Sequence, residues 1–129
     1  DEFFASSGVR SSVEAARNAL SDKIQYLTEF LGGEYEIQGA YPAWEYRKES
    51  PLRDKMVEVY ETMYGQKPEV VAIHAGLECG LFYKKIDGLD CVSLGPDMKD
   101  IHTSEEVLDI ASTERVWKYL VKVLEELKD

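Results

Sequence analysis

The second part of the chain alternates amphipathic helical patterns with short apolar runs, and this alternation limits the possible folds most strongly. Ser50 is a helix N-cap followed by proline at the first helical position, and apolar residues then recur at helical spacing as far as Gly65. Residues 70–73 are a continuous apolar run rich in β-branched residues, which suits a strand covered on both faces. Helices and strands that alternate in this way predict an α/β fold.

The first part of the chain is predicted to form a strand, a long helix and a second strand. Residues 3–10 have a weak strand pattern, and Ser11 and Glu14 fit a capping box at the start of the helix. The glycine pair at 32–33 ends that helix, and residues 34–38 alternate in polarity as a half-buried strand does. Further along, the patterns predict a short helix at 76–85, a buried strand at 91–94 and a last helix capped by Ser112.

Composition excludes several classes of protein. The formal net charge of −10 disfavours a nucleic-acid partner, because the phosphates would be repelled. No apolar run approaches the roughly 20 residues of a membrane span, so no membrane partner is expected. The first residues lack the basic region of a signal peptide, and we expect them to be the cut end of a longer polypeptide. Cys79 and Cys91 lie in apolar surroundings, which favours reduced thiols of a cytoplasmic protein over a disulfide.

A loop after Gly95 and Pro96 carries the residue that most suggests metal chemistry. His102 stands among polar residues there, and Glu105 and Glu106 follow it as groups that could orient or coordinate. On this pattern alone a generic surface histidine is an equally good interpretation, and acids before a helix also favour its dipole. A mononuclear zinc site needs at least three protein ligands, and the chain has two histidines. If His102 is a ligand, most of its site must therefore lie elsewhere.

Two further segments could bind a ligand. Residues 74–80 follow a predicted strand and open a predicted helix, which is where open α/β sheets gather ligands. Gly76 and Gly80 would let the backbone approach such a ligand, although ordinary turn residues are the alternative. Arg10 could hold a carboxylate bidentately, or it could form an exposed salt bridge. Trp44 could line a pocket, or it could pack the junction between the two parts of the chain.

Taken together, four segments resemble the C-terminal part of the aminoacyl-histidine dipeptidases, the Xaa-His-cleaving branch of the co-catalytic zinc metallopeptidases. The segments are SGVRSS at 7–12, YPAWEY at 41–46, IHAGLECG at 73–80, and LGP at 94–96 with the later HT at 102–103. The pairing of the Glu-Cys-Gly loop with the later Gly-Pro and histidine loop is specific to this branch. The chain is therefore identified as a member of this family over nearly its whole length.

The resemblance implies a fold, a cofactor and partners. It implies a partial lid, half of a ferredoxin-like unit, at residues 1–46, followed at 47–129 by the C-terminal α/β segment of a zinc-peptidase catalytic domain. Two zinc ions are expected in the intact enzyme. The expected partners are the missing N-terminal part of the same enzyme and a dipeptide substrate, and a homodimer is the further partner to be tested.

The resemblance also implies roles for particular residues. His102 matches the family's last zinc ligand, and Arg10 looks like the lid arginine that grips the substrate's C-terminal carboxylate. A backbone turn that binds substrate is matched by Gly76, Leu77 and Glu78. The glutamate side chain is a candidate partner for a substrate amine or imidazole. His74 has no metal role in the family pattern and is interpreted as structural.

The departures from the family pattern limit what the chain can do by itself. The early His-x-Asp pair, the bridging aspartate and the adjacent glutamates that include the general base have no counterpart here. We therefore expect no catalytic residue in this chain, no peptidase activity from it alone and weak or absent zinc binding. The alternatives are a small amino-acid-binding α/β module without catalysis, or a structural module whose exposed edge strand pairs with a copy of itself.

Overall fold

The computed structural model describes residues 3–73 and 78–128, which contain four helices and two short strands. These elements are α1 (Glu14–Phe30), α2 (Pro51–Tyr64), α3 (Glu78–Lys85), β1 (Met98–Lys99), β2 (Val107–Leu108) and α4 (Ile110–Glu126). They fall into two compact units. The first contains residues up to Lys48 and from Val71 to Leu89, and the second contains the remainder. No helix within the described ranges combines the length and apolarity needed to cross a membrane.

Helix α2 begins and ends where local chemistry predicts. The Ser50 hydroxyl accepts a hydrogen bond from the backbone N–H of Arg53 at 3.1 Å, and Pro51 occupies the first turn. The helix ends at Gly65, whose φ of 72° is in the left-handed region that glycine adopts without a Cβ penalty. Ser50 also donates from its hydroxyl to the carboxylate of Asp90 at 2.7 Å, so the start of α2 is tied to a residue far along the chain.

The core of the second unit lies between α2 and α4. Its four buried apolar residues in the described chain are Met56, Val59, Tyr119 and Val123. The Tyr119 ring meets the Tyr60 ring edge to face, with centroids 5.3 Å apart. Burial of these side chains supplies most of the stabilisation of such a helix pair, because area removed from water is the dominant favourable term.

In the first unit, polar contacts hold α1 more than burial does. None of the residues of α1 is buried. The Arg17 guanidinium donates to the backbone carbonyl of Tyr41, and the backbone N–H of Glu14 donates to the carboxylate of Glu45 at 3.0 Å. Lys84 of α3 lies 3.5 Å from the Glu14 carboxylate. The α1 N-terminus therefore receives an acidic side chain from the 41–46 segment, which suits the helix dipole.

Four predicted strands are not strands in the structure. Residues 3–10, 34–38, 70–73 and 91–94 are not assigned to strands. Several of their apolar side chains are exposed, with Phe3 91% and Val71 62% accessible, whereas Val92 packs against the core. Alternation or β-branching indicates an extended backbone, but a strand also requires a neighbouring strand to bond with. The described sheet is instead the short antiparallel pair β1–β2, in which Met98 faces Leu108 and Lys99 faces Val107.

Two predicted helix starts are also wrong. The capping box does not form, because the Ser11 hydroxyl accepts locally from the backbone N–H of Val13 at 3.0 Å and α1 begins only at Glu14. Helix α4 is capped by Asp109, whose carboxylate accepts from the backbone N–H of Ser112 at 2.6 Å. Asp109 stands three residues earlier than the predicted cap and takes that role because aspartate is at least as good an N-cap as serine. The predicted division into lid residues 1–46 and catalytic residues 47–129 concerns an intact enzyme and stays a prediction.

Candidate functional site

His102 lies in the loop that joins β1 to β2, and its side chain is exposed. The strands on either side pair in antiparallel fashion, and the backbone N–H of Asp109 extends the pairing by donating to the carbonyl of Asp97 at 2.9 Å. The loop is therefore the tip of a hairpin that is closed at its base. A residue at such a tip is accessible to a metal ion or to another polypeptide segment.

Hydrogen bonds inside the loop centre on Thr103. Its backbone N–H and its hydroxyl both donate to the carbonyl of Asp100, at 3.2 and 2.7 Å. The Thr103 hydroxyl also accepts from the backbone N–H of Glu105 at 3.2 Å, and its carbonyl accepts from the N–H of Glu106 at 3.3 Å. This set of bonds gives the hairpin tip a defined conformation.

His102 itself has an unusual backbone conformation. Its φ is 68°, and that of Asp100 is 51°, so two residues with side chains lie in the left-handed region. Aspartate and histidine tolerate this region better than most residues, although it still costs about 1–2 kcal/mol for a residue with a Cβ. The backbone N–H of His102 donates to the Glu106 carboxylate at 2.7 Å. The surrounding contacts therefore hold His102 in a conformation that a free chain would rarely adopt.

Ser112 connects the hairpin to α4. This residue is 2% exposed, and its hydroxyl accepts from the backbone N–H of Asp97 at 2.8 Å while donating to the carbonyl of Asp109 at 2.7 Å. Arg115 adds an ion pair with the Asp97 carboxylate at 3.2 Å. The base of the hairpin is thus bonded to a helix that is itself packed in the core. The sequence pattern predicted Ser112 as the cap of α4, a role that Asp109 takes, and did not indicate this connecting role.

One imidazole is a common zinc ligand, but a zinc site needs several. Within residues 3–73 and 78–128, no group of three or more histidine, cysteine, aspartate or glutamate side chains is placed to hold a metal ion. One carboxylate oxygen of Glu106 already accepts a hydrogen bond from the backbone N–H of His102. The described residues therefore do not form a complete zinc site, and the role of His102 as a ligand stays a prediction.

Of the other predicted site residues, the structure describes Arg10 and Glu78, both in the first unit. Arg10 is exposed in the segment that precedes α1, and Glu78 is the exposed first residue of α3. Gly76, Leu77 and the neighbouring His74 lie outside the described residues. The substrate-binding roles of Arg10, Gly76, Leu77 and Glu78 stay predictions.

Gly80 has a packing role. The sequence had suggested either a turn residue or a position where the backbone approaches a ligand, and the structure shows neither. It lies within α3 and is buried. A Cβ at this position would be 3.0 Å from the carbonyl oxygen of Pro42 and 3.4 Å from the Cβ of Trp44. The missing side chain thus lets α3 approach the 41–46 segment closely. Trp44, half-buried beside it, packs that contact.

A cleft of about 230 Å³ between α2 and α4 is unrelated to the predicted site. It is lined by Lys55, Glu58, Val59, Thr62, Met63, Lys122 and Glu126. Its charges are paired within the cleft, with Lys55 2.7 Å from Glu58 and Lys122 2.8 Å from Glu126. The hydrogen bond that Lys55 donates to Glu58 raises the pKa of Lys55, and the one that Lys122 donates to Glu126 lowers the pKa of Glu126. The two charges of each pair neutralise each other, so these four side chains present no net charge to a ligand.

Comparison with known proteins gives one consistent result. No family model matches the chain. It is 33% identical over 119 residues to the cytosol non-specific dipeptidase of Escherichia coli (strain K12), covering 92% of this chain and 24% of that protein. The crystal structure of aminoacylhistidine dipeptidase from Vibrio alginolyticus matches with a TM-score of 0.72 and 34% identity, again over 92% of this chain and 24% of the other.

Both relatives are dipeptidases, and the chain spans about a quarter of their length. The structural match confirms the α/β class, which here takes the form of helices with a small two-stranded sheet. The resemblance inferred from the four sequence segments is also confirmed, since identity and structure agree over nearly the whole chain. The chain is therefore related to the aminoacylhistidine dipeptidases as a segment about one quarter of their length.

Proposed function

We propose that this chain is part of a zinc-dependent dipeptidase that hydrolyses Xaa-His dipeptides, to which it contributes the metal ligand His102. The observation that carries the proposal is an exposed histidine at the tip of a hydrogen-bonded hairpin, in a chain 33% identical to a dipeptidase. The relative's name places it in the cytosol, which supports a cytoplasmic location for the protein that contains this chain.

Each proposed site residue has a distinct task. His102 would hold a zinc ion through an imidazole nitrogen. Arg10 would bind the C-terminal carboxylate of the dipeptide through two parallel N–H donors, an arrangement that guanidinium favours. Gly76, Leu77 and Glu78 would form the turn that binds the substrate backbone. When bound, zinc supplies a Lewis acid that polarises a carbonyl and lowers the pKa of bound water.

The remaining ligands and the general base would come from residues outside this chain. The relatives are about four times as long as the matched region, which leaves ample polypeptide to carry them. In this account the partner of the chain is the missing N-terminal part of the same enzyme. The chain alone is expected to hydrolyse no dipeptide in the presence of zinc or manganese, and turnover at enzyme-like rates would contradict this.

A chimera tests the proposal directly. The full chain replaces the homologous quarter of the Escherichia coli dipeptidase, and hydrolysis of an Xaa-His dipeptide is measured with His102 intact and with His102→Ala. We expect the variant to lose far more than the roughly 10–100-fold that is typical when a residue that only supports a metal ligand is removed. Ser104→Ala, in the same loop, is the matched control and should retain activity.

Two outcomes would decide against the proposal. One is a folded His102→Ala chimera that keeps its activity and its zinc. The other is calorimetric binding of histidine to the chain without any metal, which would favour an amino-acid-binding module. If the long exchange does not fold, a second chimera that grafts only residues 95–109 carries the same comparison.

A further inference from the structure

The carboxylate of Glu106 accepts a hydrogen bond from the backbone N–H of His102 at 2.7 Å, and His102 is one of the left-handed residues of the loop. We propose that Glu106 is a positioning residue, which holds the main chain of His102 in place and does not itself bind the metal. This inference rests on the proposed role of His102 as a zinc ligand.

The hold on His102 comes from both sides of the residue. On the preceding side, the Asp100 carbonyl accepts two hydrogen bonds from Thr103. On the following side, Glu106 reaches back across the loop to the N–H of His102. A hydrogen bond to an ionised acceptor is stronger than one between neutral groups, so the Glu106 contact is well suited to stabilise a strained backbone.

The position of Glu106 is itself fixed. It directly precedes β2, whose first residue Val107 is paired with Lys99 of β1. Its own backbone N–H donates to the carbonyl of Thr103 at 3.3 Å. The pairing of β1 with β2 therefore fixes the backbone that carries the carboxylate. Through this carboxylate, the same pairing helps to keep His102 in its left-handed conformation.

Loss of the Glu106 carboxylate would release this hold. The backbone of His102 would then relax towards negative φ, and the imidazole would move with it. A displacement of about 1 Å at a reacting centre can reduce a rate by about 100-fold, so positioning of this kind has a measurable effect.

Two substitutions separate a positioning role from a metal-binding role. Glu106→Ala removes both the acceptor and the charge. Glu106→Gln removes the charge but keeps an amide oxygen that can accept from His102. A positioning residue tolerates the glutamine, whereas a carboxylate ligand does not.

The first measurement is ¹⁵N relaxation of the His102 amide in the full chain. We expect an order parameter near the rigid value of about 0.85 in the unsubstituted chain and in Glu106→Gln, and below about 0.6 in Glu106→Ala. Glu105→Ala is the matched control. It removes a neighbouring carboxylate of equal charge, keeps the N–H that donates to Thr103, and should leave the order parameter unchanged. An unchanged value in Glu106→Ala would overturn the proposal.

The second measurement uses the chimera described above. Glu106→Ala is expected to lower kcat by roughly 10–100-fold with KM little changed, and Glu106→Gln is expected to recover most of that loss. A glutamine variant as inactive as the alanine variant would show that the carboxylate serves the metal, which would also overturn the proposal.

The two proposals fail in different ways. If His102→Ala leaves the chimera active, the metal-ligand role is wrong, whatever the relaxation data show. If His102→Ala is inactive while Glu106→Ala keeps both its order parameter and its kcat, only the positioning role is wrong.

Discussion

Tyr119 donates a hydrogen bond from its phenol to the backbone carbonyl of Met56 at 2.7 Å, and both residues are buried. The bond joins α4 to α2 inside the core of the second unit. Helix α4 in turn holds the base of the hairpin through Ser112, whose hydroxyl bonds to Asp97 and Asp109. A continuous set of contacts therefore leads from the core to the loop that carries His102.

Replacing Tyr119 by phenylalanine should lower the free energy of unfolding by about 1 kcal/mol, because the ring packing is kept and one hydrogen bond is lost. Urea unfolding of the full chain measures this difference. Tyr64→Phe is the control, since the Tyr64 phenol donates to the backbone carbonyl of Arg115 at 3.1 Å in a more exposed position, and its loss should cost less. A larger loss for Tyr64→Phe would contradict the central place given to Tyr119.

Tyr119 should also lower the free energy of unfolding at high pH, where its phenol ionises. Burial raises the pKa of the Tyr119 phenol above its ordinary value of 10.0, and the Tyr60 and Tyr64 phenols add to the effect. A raised folded-state pKa means that the stabilisation is complete below the unfolded-state pKa and is lost as pH rises through the folded-state value.

The stability difference between the unsubstituted chain and Tyr119→Phe should therefore narrow above about pH 10. Urea midpoints of both proteins at a series of pH values test this, because titration of the groups that do not interact with Tyr119 cancels in the comparison. If the difference between the two urea midpoints stays constant above about pH 10, ionisation of Tyr119 does not contribute to stability as proposed.

Ser112→Ala should loosen the hairpin from α4. The substitution removes an acceptor for the Asp97 N–H in a position that is 2% exposed, and we expect a loss of about 1–3 kcal/mol. Thr113→Ala is a close control, because its exposed hydroxyl also donates to the Asp109 carbonyl, at 3.1 Å. That variant should change stability by less than about 0.5 kcal/mol, and equal losses for the two would contradict the connecting role.

Features that depend on near neighbours could be predicted from the sequence. The start of α2 at Ser50 and Pro51 and its end at Gly65 were predicted from residues within one helical turn, and the structure confirms them. The location of His102 in an exposed loop before the last helix was likewise predictable from its polar flanks and the preceding Gly-Pro pair.

Features that depend on distant residues could not be predicted in this way. The N–H of Glu14 bonds to Glu45, 31 residues away, so the capping box with Ser11 was wrong despite a good local match. Residues 70–73 have strand composition but no strand partner in the described chain. The contact between Glu106 and the His102 backbone depends on the hairpin register, which no periodicity indicates.

The left-handed conformation of His102 predicts that stability and function favour different residues at this position. Glycine fits the backbone best, whereas histidine supplies the imidazole. Glycine has no Cβ to clash at φ 68°, so His102→Gly should be more stable to urea than His102→Ala by about 1 kcal/mol. Both variants lack the imidazole and should be equally unable to bind metal. Equal stability of the two would show that the loop does not hold this backbone conformation in solution.

The zinc content of the chimera with the Escherichia coli dipeptidase tests the central claim most directly. Elemental analysis of the purified protein should find less bound zinc in His102→Ala than in the chimera with His102 intact. The Ser104→Ala control should keep the full content. An equal zinc content in the chimera and in His102→Ala, with both proteins folded, would show that this histidine is not a ligand.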